Sequence, residues 1–300
     1  MKSLVDAVKA GSLLVSDGAW GTFLQLKGLK PGECPELWNL DRPDDVAAVA
    51  RSYVEAGADM VQTNSFGANR LKLAHYGLAE RASEINEAAA RLSRQEAGPN
   101  RWVIASMGPT GKFLITEEVT EAELLEAFGE QARALELGGA DALCVETMSD
   151  LQEACLAVRA AKAQTRLEVI CTFTFDRQAD GSYRTMMGLS PAEAARGAVE
   201  AGADVIGSNC GNGLAGMVEI VAQMRKACPE TPILVHANAG LPVHKDGKDV
   251  YPETPALMAS QTEPLIRAGA NILGGCCGTT PAHIAELARA VRLLWNPQQG

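Results

Sequence analysis

Glu55-Ala-Gly-Ala-Asp59, Leu137-Gly-Gly-Ala-Asp141, Glu200-Ala-Gly-Ala-Asp204 and Arg267-Ala-Gly-Ala-Asn271 are four copies of one pattern. Each ends a run of helical period on Gly and opens a short apolar run, which is how a helix C-cap followed by a buried strand reads. Working outward, strand-like runs fall near Leu13–Ser16, Asp59–Thr63, Trp102–Ser106, Ala142–Glu146, Glu168–Thr174, Asp204–Asn209, Ile233–Ala237 and Asn271–Gly275. The four copies precede the second, fourth, sixth and eighth of these. Amphipathic helices lie between, among them Pro43–Ala56, Glu121–Leu137, Leu151–Lys162, Pro191–Ala201, Leu214–Lys226, Thr254–Arg267 and Pro281–Leu294. Ser190-Pro191 and Thr280-Pro281 place a cap residue before Pro at a first helical position. Strict alternation of strand and helix over most of the chain predicts a (β/α)8 TIM barrel, one α/β domain spanning residues 1–300, in preference to an open doubly wound sheet.

Composition agrees with one large globular unit: 300 residues, 47% apolar and 21% charged, with 29 Gly and 14 Pro dispersed along the chain. A chain of this size buries enough surface to need no metal or disulfide staple, so a metal here would serve function first. The balance of 27 Lys+Arg against 37 Asp+Glu argues against nucleic acid or an anionic membrane as partner. The apolar stretches are strand-sized and Met1–Val15 lacks the apolar centre of a signal peptide, so a cytoplasmic location and reduced cysteines are expected. The long connection Ala239–Pro255, with Gly240, Pro242, Gly247 and Pro252, follows the seventh strand and is expected to overhang the active face as a lid.

In a barrel the catalytic groups project from the C-terminal ends of the strands. Those positions here are Asp17, Asn64, Met107-Gly108, Glu146, Thr172 and Thr174, Asn209-Cys210, Asn238 and Cys276-Cys277, a polar rim with two acids and three sulfurs. Cys210 ends the sixth strand and Cys276-Cys277 the eighth, so the three thiols converge on one side of the mouth. Three thiolates with a fourth position open make a zinc site built to hold a substrate. Small buried fillers or a strained vicinal disulfide would also account for the pair. Cys34, Cys144, Cys155, Cys171 and Cys228 read as apolar fillers. Gly211-Asn-Gly213-Leu-Ala-Gly216 matches a dinucleotide fingerprint, with a plain helix-entry turn as the alternative. The next strand runs into Asn238 where that fingerprint needs an acid.

Glu146 and Asp17 are either capping or ion-paired acids or holders of a cationic group. The glycines after Asp17 and the amides of Ala19 to Thr22 offer an anion cradle. An acid beside an amide cradle suits the two ends of an amino acid. None of the four His has a second His at ligand spacing, and His283, in the first turn of the last helix, is expected to be exposed.

With these residues laid out, the chain resembles the homocysteine S-methyltransferase family. The resemblance runs from Asp17-Gly-Ala-Trp-Gly-Thr22 through Thr63-Asn-Ser-Phe-Gly-Ala-Asn-Arg70, Met107-Gly-Pro-Thr-Gly111, Val145-Glu-Thr147 and Gly207-Ser-Asn-Cys210 to Gly274-Gly-Cys-Cys-Gly-Thr-Thr-Pro281. Within the family, Asn238-Ala-Gly-Leu-Pro242 and Gly247-Lys-Asp-Val-Tyr251 look most like the homocysteine-binding module of cobalamin-dependent methionine synthase.

The resemblance implies that Cys210, Cys276 and Cys277 hold Zn2+ and that L-homocysteine is the methyl acceptor. Glu146 would then take the substrate ammonium. Asp17 with Gly18, Ala19 and Thr22 would hold its amino-acid end, and Asn64 and Asn209 would support ligands or substrate. No Asp-x-His-x-x-Gly, the cobalamin-ligating pattern, surrounds any His, so a methyl-corrinoid donor is expected from a separate corrinoid protein. The alternatives are a free-standing enzyme of the S-methylmethionine or betaine type and a non-catalytic binding subunit for a thiol amino acid.

Overall fold

In the computed structural model, which describes residues 2–245 and 248–294, eight parallel strands form one sheet. They are β1 (Leu14–Val15), β2 (Met60–Val61), β3 (Trp102–Met107), β4 (Ala142–Met148), β5 (Glu168–Phe173), β6 (Val205–Asn209), β7 (Ile233–Ala237) and β8 (Ile272–Gly275). The order is β1-β8-β7-β6-β5-β4-β3-β2, with helices wrapped outside, as the alternation predicts for a (β/α)8 barrel. The β1/β2 seam carries no regular ladder. It is closed by the Asp59 amide donating to the Val15 carbonyl at 2.7 Å and by the Gln62 amide donating to the Asp17 carboxylate at 2.7 Å.

The sequence repeat turns out to be a structural clamp. Gly57, Gly139, Gly202 and Gly269 all adopt left-handed φ, from 93° to 115°, where a side chain would be strained. Two residues later a side chain crosses to the neighbouring odd-numbered strand. Asp59 accepts from the Val15 amide at 2.8 Å, Asp141 from Val103 at 2.7 Å, Asp204 from Val169 at 2.7 Å and Asn271 from Ile233 at 3.0 Å. The amide of each clamp residue donates back to the carbonyl of the same partner. Basic side chains from the outer helices complete the set. Arg94 pairs with Asp141, Lys162 with Asp204 at 2.8 Å, and Arg225 reaches Asn271 at 2.9 Å, while Arg292 donates to the Gly57 carbonyl at 3.0 Å.

Inside the barrel, side chains alternate inward with period two, and the interior changes character between layers. The lower layer is hydrocarbon: Met60, Ile104, Ile170, Leu234 and Ile272 meet Leu4, Ala7 and Val8 of a short helix, Leu4–Lys9, that plugs the bottom. The amides of Leu4 and Val5 are capped by the Glu168 carboxylate at 2.7 and 3.2 Å. One step further along the strands stand Ser16, Gln62, Ser106, Glu146, Thr172 and His236, all buried and polar. That polar layer is the floor of the mouth.

Two expectations are corrected. The helix read over Thr254–Arg267 is two helices, Pro255–Ser260 and Thr262–Ala268, because Pro264 has no N–H to give the Ser260 carbonyl and its ring crowds that carbonyl. His283 is buried rather than exposed. Its Nδ1 accepts from the Thr280 amide at 3.1 Å, so Nε2 carries the proton and donates to the Glu253 carbonyl at 2.9 Å. The long connection after β7 folds back as an antiparallel hairpin, Val243–Lys245 with Lys248–Val250; Gly247 of the expected lid lies outside the described residues.

Candidate functional site

Cys210 follows β6 directly and is held at φ 59°, a left-handed conformation uncommon for any residue but Gly, with its amide bonded to the His236 carbonyl at 3.0 Å. Cys276 follows β8, with its amide on the Ala237 carbonyl at 2.7 Å. β7 thus braces both cysteine turns. The three Sγ atoms lie within 4.8 Å of one another, with Cys210 to Cys277 and Cys276 to Cys277 each at 4.0 Å. All eight cysteines are free, so the vicinal-disulfide reading falls.

The sulfur spacing can be tested against zinc. Tetrahedral ligands on bonds of about 2.3 Å stand about 3.8 Å apart, so the two 4.0 Å pairs already lie close to the spacing that zinc sets. Beside it, the buried Oδ1 of Asn238 has no hydrogen-bond partner. The sulfurs also share charge unequally. Contact among the three sulfurs pulls the Cys210 thiol far below its usual range and pushes Cys276 and Cys277 up. A soft set of three clustered sulfur donors fits Zn2+.

The three cysteines form one wall of a cavity of about 270 Å3. Its other walls are the Gly18–Thr22 loop, the turn at Pro35 and Glu36, the stretch from Gln62 to Phe66, and Ser106, Glu146 and Thr147. Two carboxyls, Glu36 and Glu146, face the cavity with no Lys, Arg or His among its lining residues. Such a lining favours a cationic group.

Glu146 is aimed by a bulge. The β4 to β5 register slips between Val145 and Met148, and Thr147 sits at φ 60°, a strained conformation for a β-branched residue. Asn209 holds that strain in place. Its Oδ1 accepts from the Thr147 amide at 2.8 Å and the Thr172 hydroxyl at 2.7 Å, and its Nδ2 donates to the Thr147 hydroxyl at 2.6 Å and to Glu146 at 3.5 Å. Gln62 Nε2 donates to Glu146 at 2.8 Å and the Ser106 hydroxyl bonds it as well. Burial outweighs these bonds and pushes the Glu146 carboxyl up to about 7.

Asp17 is fully buried and does not line the cavity. Its Oδ2 accepts from the Gln62 amide at 2.7 Å and from Trp20 Nε1 at 2.8 Å, so it fixes the loop from behind. Burial raises it to about 7 as well. Gln62 therefore touches both acids, one through its amide and the other through its side chain. Asn209 likewise stands behind the wall.

The other expected residues divide. Gly18, Ala19 and Thr22 line the cavity, but the Ala19 amide is spent on Thr279 Oγ1 at 3.0 Å, which removes one donor from the cradle. Asn64 also lines it, with its Nδ2 committed to the Pro35 carbonyl at 2.8 Å and to Asn39 at 2.9 Å. Sequence reasoning missed Gln62, Ser106 and Glu36. The first two were legible, since each sits two residues before or in register with a named rim position on an inward face. Glu36 lies in a short turn, Pro35–Leu37, with no periodic signal, and is held by the Gly67 amide at 2.6 Å. The dinucleotide reading also fails, because the Glu253 carboxylate fills the space at Gly213, at the entrance to helix Leu214–Ala227, and a pyrophosphate would meet that charge.

Three comparisons bear on this geometry. The chain is 36% identical over 306 aligned positions to a methionine synthase of Mycobacterium tuberculosis, covering 96% of this chain and 25% of that one. It is 36% identical to a methionine synthase of Mycobacterium leprae, covering 94% and 24%. The chain thus spans about a quarter of the length of these relatives. Among solved structures it superposes on the metallated form of the homocysteine methyltransferase MmuM from Escherichia coli with a TM-score of 0.77, covering 95% of this chain and 98% of the other; at 23% identity that is a likeness of fold. A model of the homocysteine S-methyltransferase family matches residues 14–291, and with the three sulfurs standing at the ends of β6 and β8 the chain belongs to that family.

Proposed function

We propose that the chain methylates the sulfur of L-homocysteine to give methionine, with Zn2+ held by Cys210, Cys276 and Cys277. The observation that carries this is the position of three Sγ atoms within 4.8 Å on one wall of a cavity that also presents Glu146. When bound, zinc supplies the Lewis acidity that makes a thiol a thiolate at neutral pH, where a free thiol is mostly protonated and a poor nucleophile.

The chain's own residues bind and orient. Glu146 receives the substrate ammonium. A cation there offsets the burial cost that keeps the carboxyl protonated, so binding and ionisation of Glu146 are linked. The Gly18–Thr22 loop, fixed from behind by Asp17 through Trp20, takes the amino-acid carboxylate on amides other than that of Ala19. Asn209 keeps Glu146 at one angle by holding the Thr147 bulge. In the transfer an S–CH3 bond forms, the donor–CH3 bond breaks, and the donor leaves with the bonding electrons.

The donor is a methyl-corrinoid carried by a separate protein. Support for a corrinoid donor comes from 36% identity to methionine synthases. Reduced, zinc-loaded protein is expected to form methionine from L-homocysteine and methylcobalamin, and to lose this activity with its metal on chelation. Turnover with S-methylmethionine alone would replace the corrinoid reading with a self-sufficient sulfonium enzyme. Homocysteine binding without transfer from any donor would replace catalysis with a binding role.

A further inference from the structure

Thr279 ties the sulfur end of the cavity to its amino-acid end. It stands between the cysteine turn and the helix Pro281–Leu294, and it is buried behind the cavity wall rather than in it. Its hydroxyl donates to the Cys276 carbonyl at 2.7 Å and accepts from the Ala19 amide at 3.0 Å. A hydroxyl has one proton to give, so these two bonds fix its direction, with the metal turn on one side and the cradle loop on the other. The Thr279 amide adds a second bond to the Cys276 carbonyl, at 3.1 Å.

Two glycines make room for this hydroxyl. A Cβ at Gly275 would overlap Oγ1, and one at Gly18 would come within 2.8 Å of it. Neither glycine has a left-handed φ, so the space taken by Thr279 is what calls for glycine at both positions. The cradle is gripped from its other side as well. Tyr53, fully buried on the helix Pro43–Glu55, donates its hydroxyl to the Ala19 carbonyl at 2.7 Å and lays its ring against Gly18. The Gly275 amide donates to the Asp17 carbonyl at 2.8 Å, so the loop after β1 and the turn after β8 move together or not at all.

We propose that Thr279 is a positioning residue that sets the span between the metal-held sulfur and the amide cradle, and thereby selects the side-chain length of the thiol amino acid. The inference rests on the homocysteine and zinc reading above. Cysteine and homocysteine carry the same thiol, ammonium and carboxylate and differ by one methylene between them, so charge and hydrogen bonding cannot tell them apart. Length can. One methylene is worth about 10- to 200-fold in a fitted pocket, and a displacement of about 1 Å at one end of a bound molecule is enough to forfeit it. The Ala19 amide is thus withheld from the substrate carboxylate in order to fix where the remaining amides stand.

The test is calorimetric titration of reduced, zinc-loaded protein, with no methyl donor present, against L-homocysteine, L-cysteine and the thiol amino acid one methylene longer than homocysteine. Zinc content is measured before and after each titration. Wild type is expected to bind homocysteine at least about tenfold more tightly than either neighbour. Thr279→Val keeps the branched shape, removes the hydroxyl and is expected to narrow that preference at least about fivefold with zinc retained, while Thr279→Ser keeps the hydroxyl and should hold it within about twofold. Should Thr279→Val not fold or not hold zinc, Tyr53→Phe releases the Ala19 carbonyl instead and is expected to narrow the same preference. Retained zinc with an unchanged preference in Thr279→Val overturns the inference even if all three ligands weaken together, which reports a loosened wall, and so does an equal narrowing in Thr279→Ser. A wild type that binds homocysteine and cysteine alike overturns the inference alone. Zinc-loaded wild type that binds none of the three overturns the substrate reading and this inference with it.

Discussion

Replacing Asp17 by Asn should change how stability depends on pH, and the size of the change follows from burial. The Asp17 carboxyl is fully buried and raised from 3.8 to about 7, chiefly by desolvation. An acid raised on folding stabilises the native state fully below its unfolded value and loses that contribution as pH rises to the folded value, here from about 4 to about 7. Within that window the loss is about 1.4 kcal/mol per pH unit for each such group. Between pH 5 and 7 Asp17 alone therefore costs roughly 2 to 3 kcal/mol. Asn fits the same site. Its oxygen can accept from the Gln62 amide and Trp20 Nε1 as Oδ2 does, and its NH2 faces the Ser16 hydroxyl, 3.3 Å from Oδ1. For 300 residues an unfolding entropy of about 0.6 kcal/mol per kelvin converts the difference to about 4 °C in Tm. Calorimetry of metal-free, reduced protein at pH 5, 6, 7 and 8 should show the Asp17→Asn melting curve gaining on wild type by that amount up to pH 7 and then running parallel. Glu146 is raised in part by the Asp17 charge, so the variant should also lower the pH at which Glu146 ionises. A wild-type-to-variant difference that stays constant across the series would refute the buried, protonated assignment.

Two further substitutions probe the scaffold and the site separately. Asp141→Ala leaves the Val103 amide without its acceptor and Arg94 without its carboxylate, and should cost about 2 to 3 kcal/mol, or about 4 °C in Tm, with little change in homocysteine affinity. Asn209→Ala frees the Thr147 bulge and should weaken homocysteine binding at least tenfold by calorimetric titration; unchanged affinity would show that Glu146 holds its angle without help.

The barrel was readable because its signals are periodic. Four Gly-Ala-Asp/Asn entries and eight apolar runs recur along the chain, and strand ends then give positions for the rim. What the repeat did not reveal is that its acid is a cross-strand clamp, since a side chain bonding a backbone amide 38 residues away leaves no local pattern. The cysteines were readable from their strand ends, while the roles of Asp17 and Ala19 were not. Whether a rim group faces the cavity or supports its wall depends on partners such as Gln62, Trp20 and Thr279, which are distant or carry no chemistry of their own. His283 misled for the same reason. A first-turn helical position reads as exposed until a returning hairpin is laid over it.

The plugged floor bears on the order of events. Leu4, Ala7 and Val8 close the lower end of the barrel, and the hydrocarbon layer above them is filled with side chains, so nothing reaches the site from beneath. Homocysteine and donor must use the same doorway, and the ammonium pocket at Glu146 lies inside it, among buried groups. A large methyl carrier seated first would shut the amino acid out. Under the proposed function, steady-state kinetics should therefore be sequential with a compulsory order, the small substrate entering ahead of the carrier and methionine waiting for the carrier to leave.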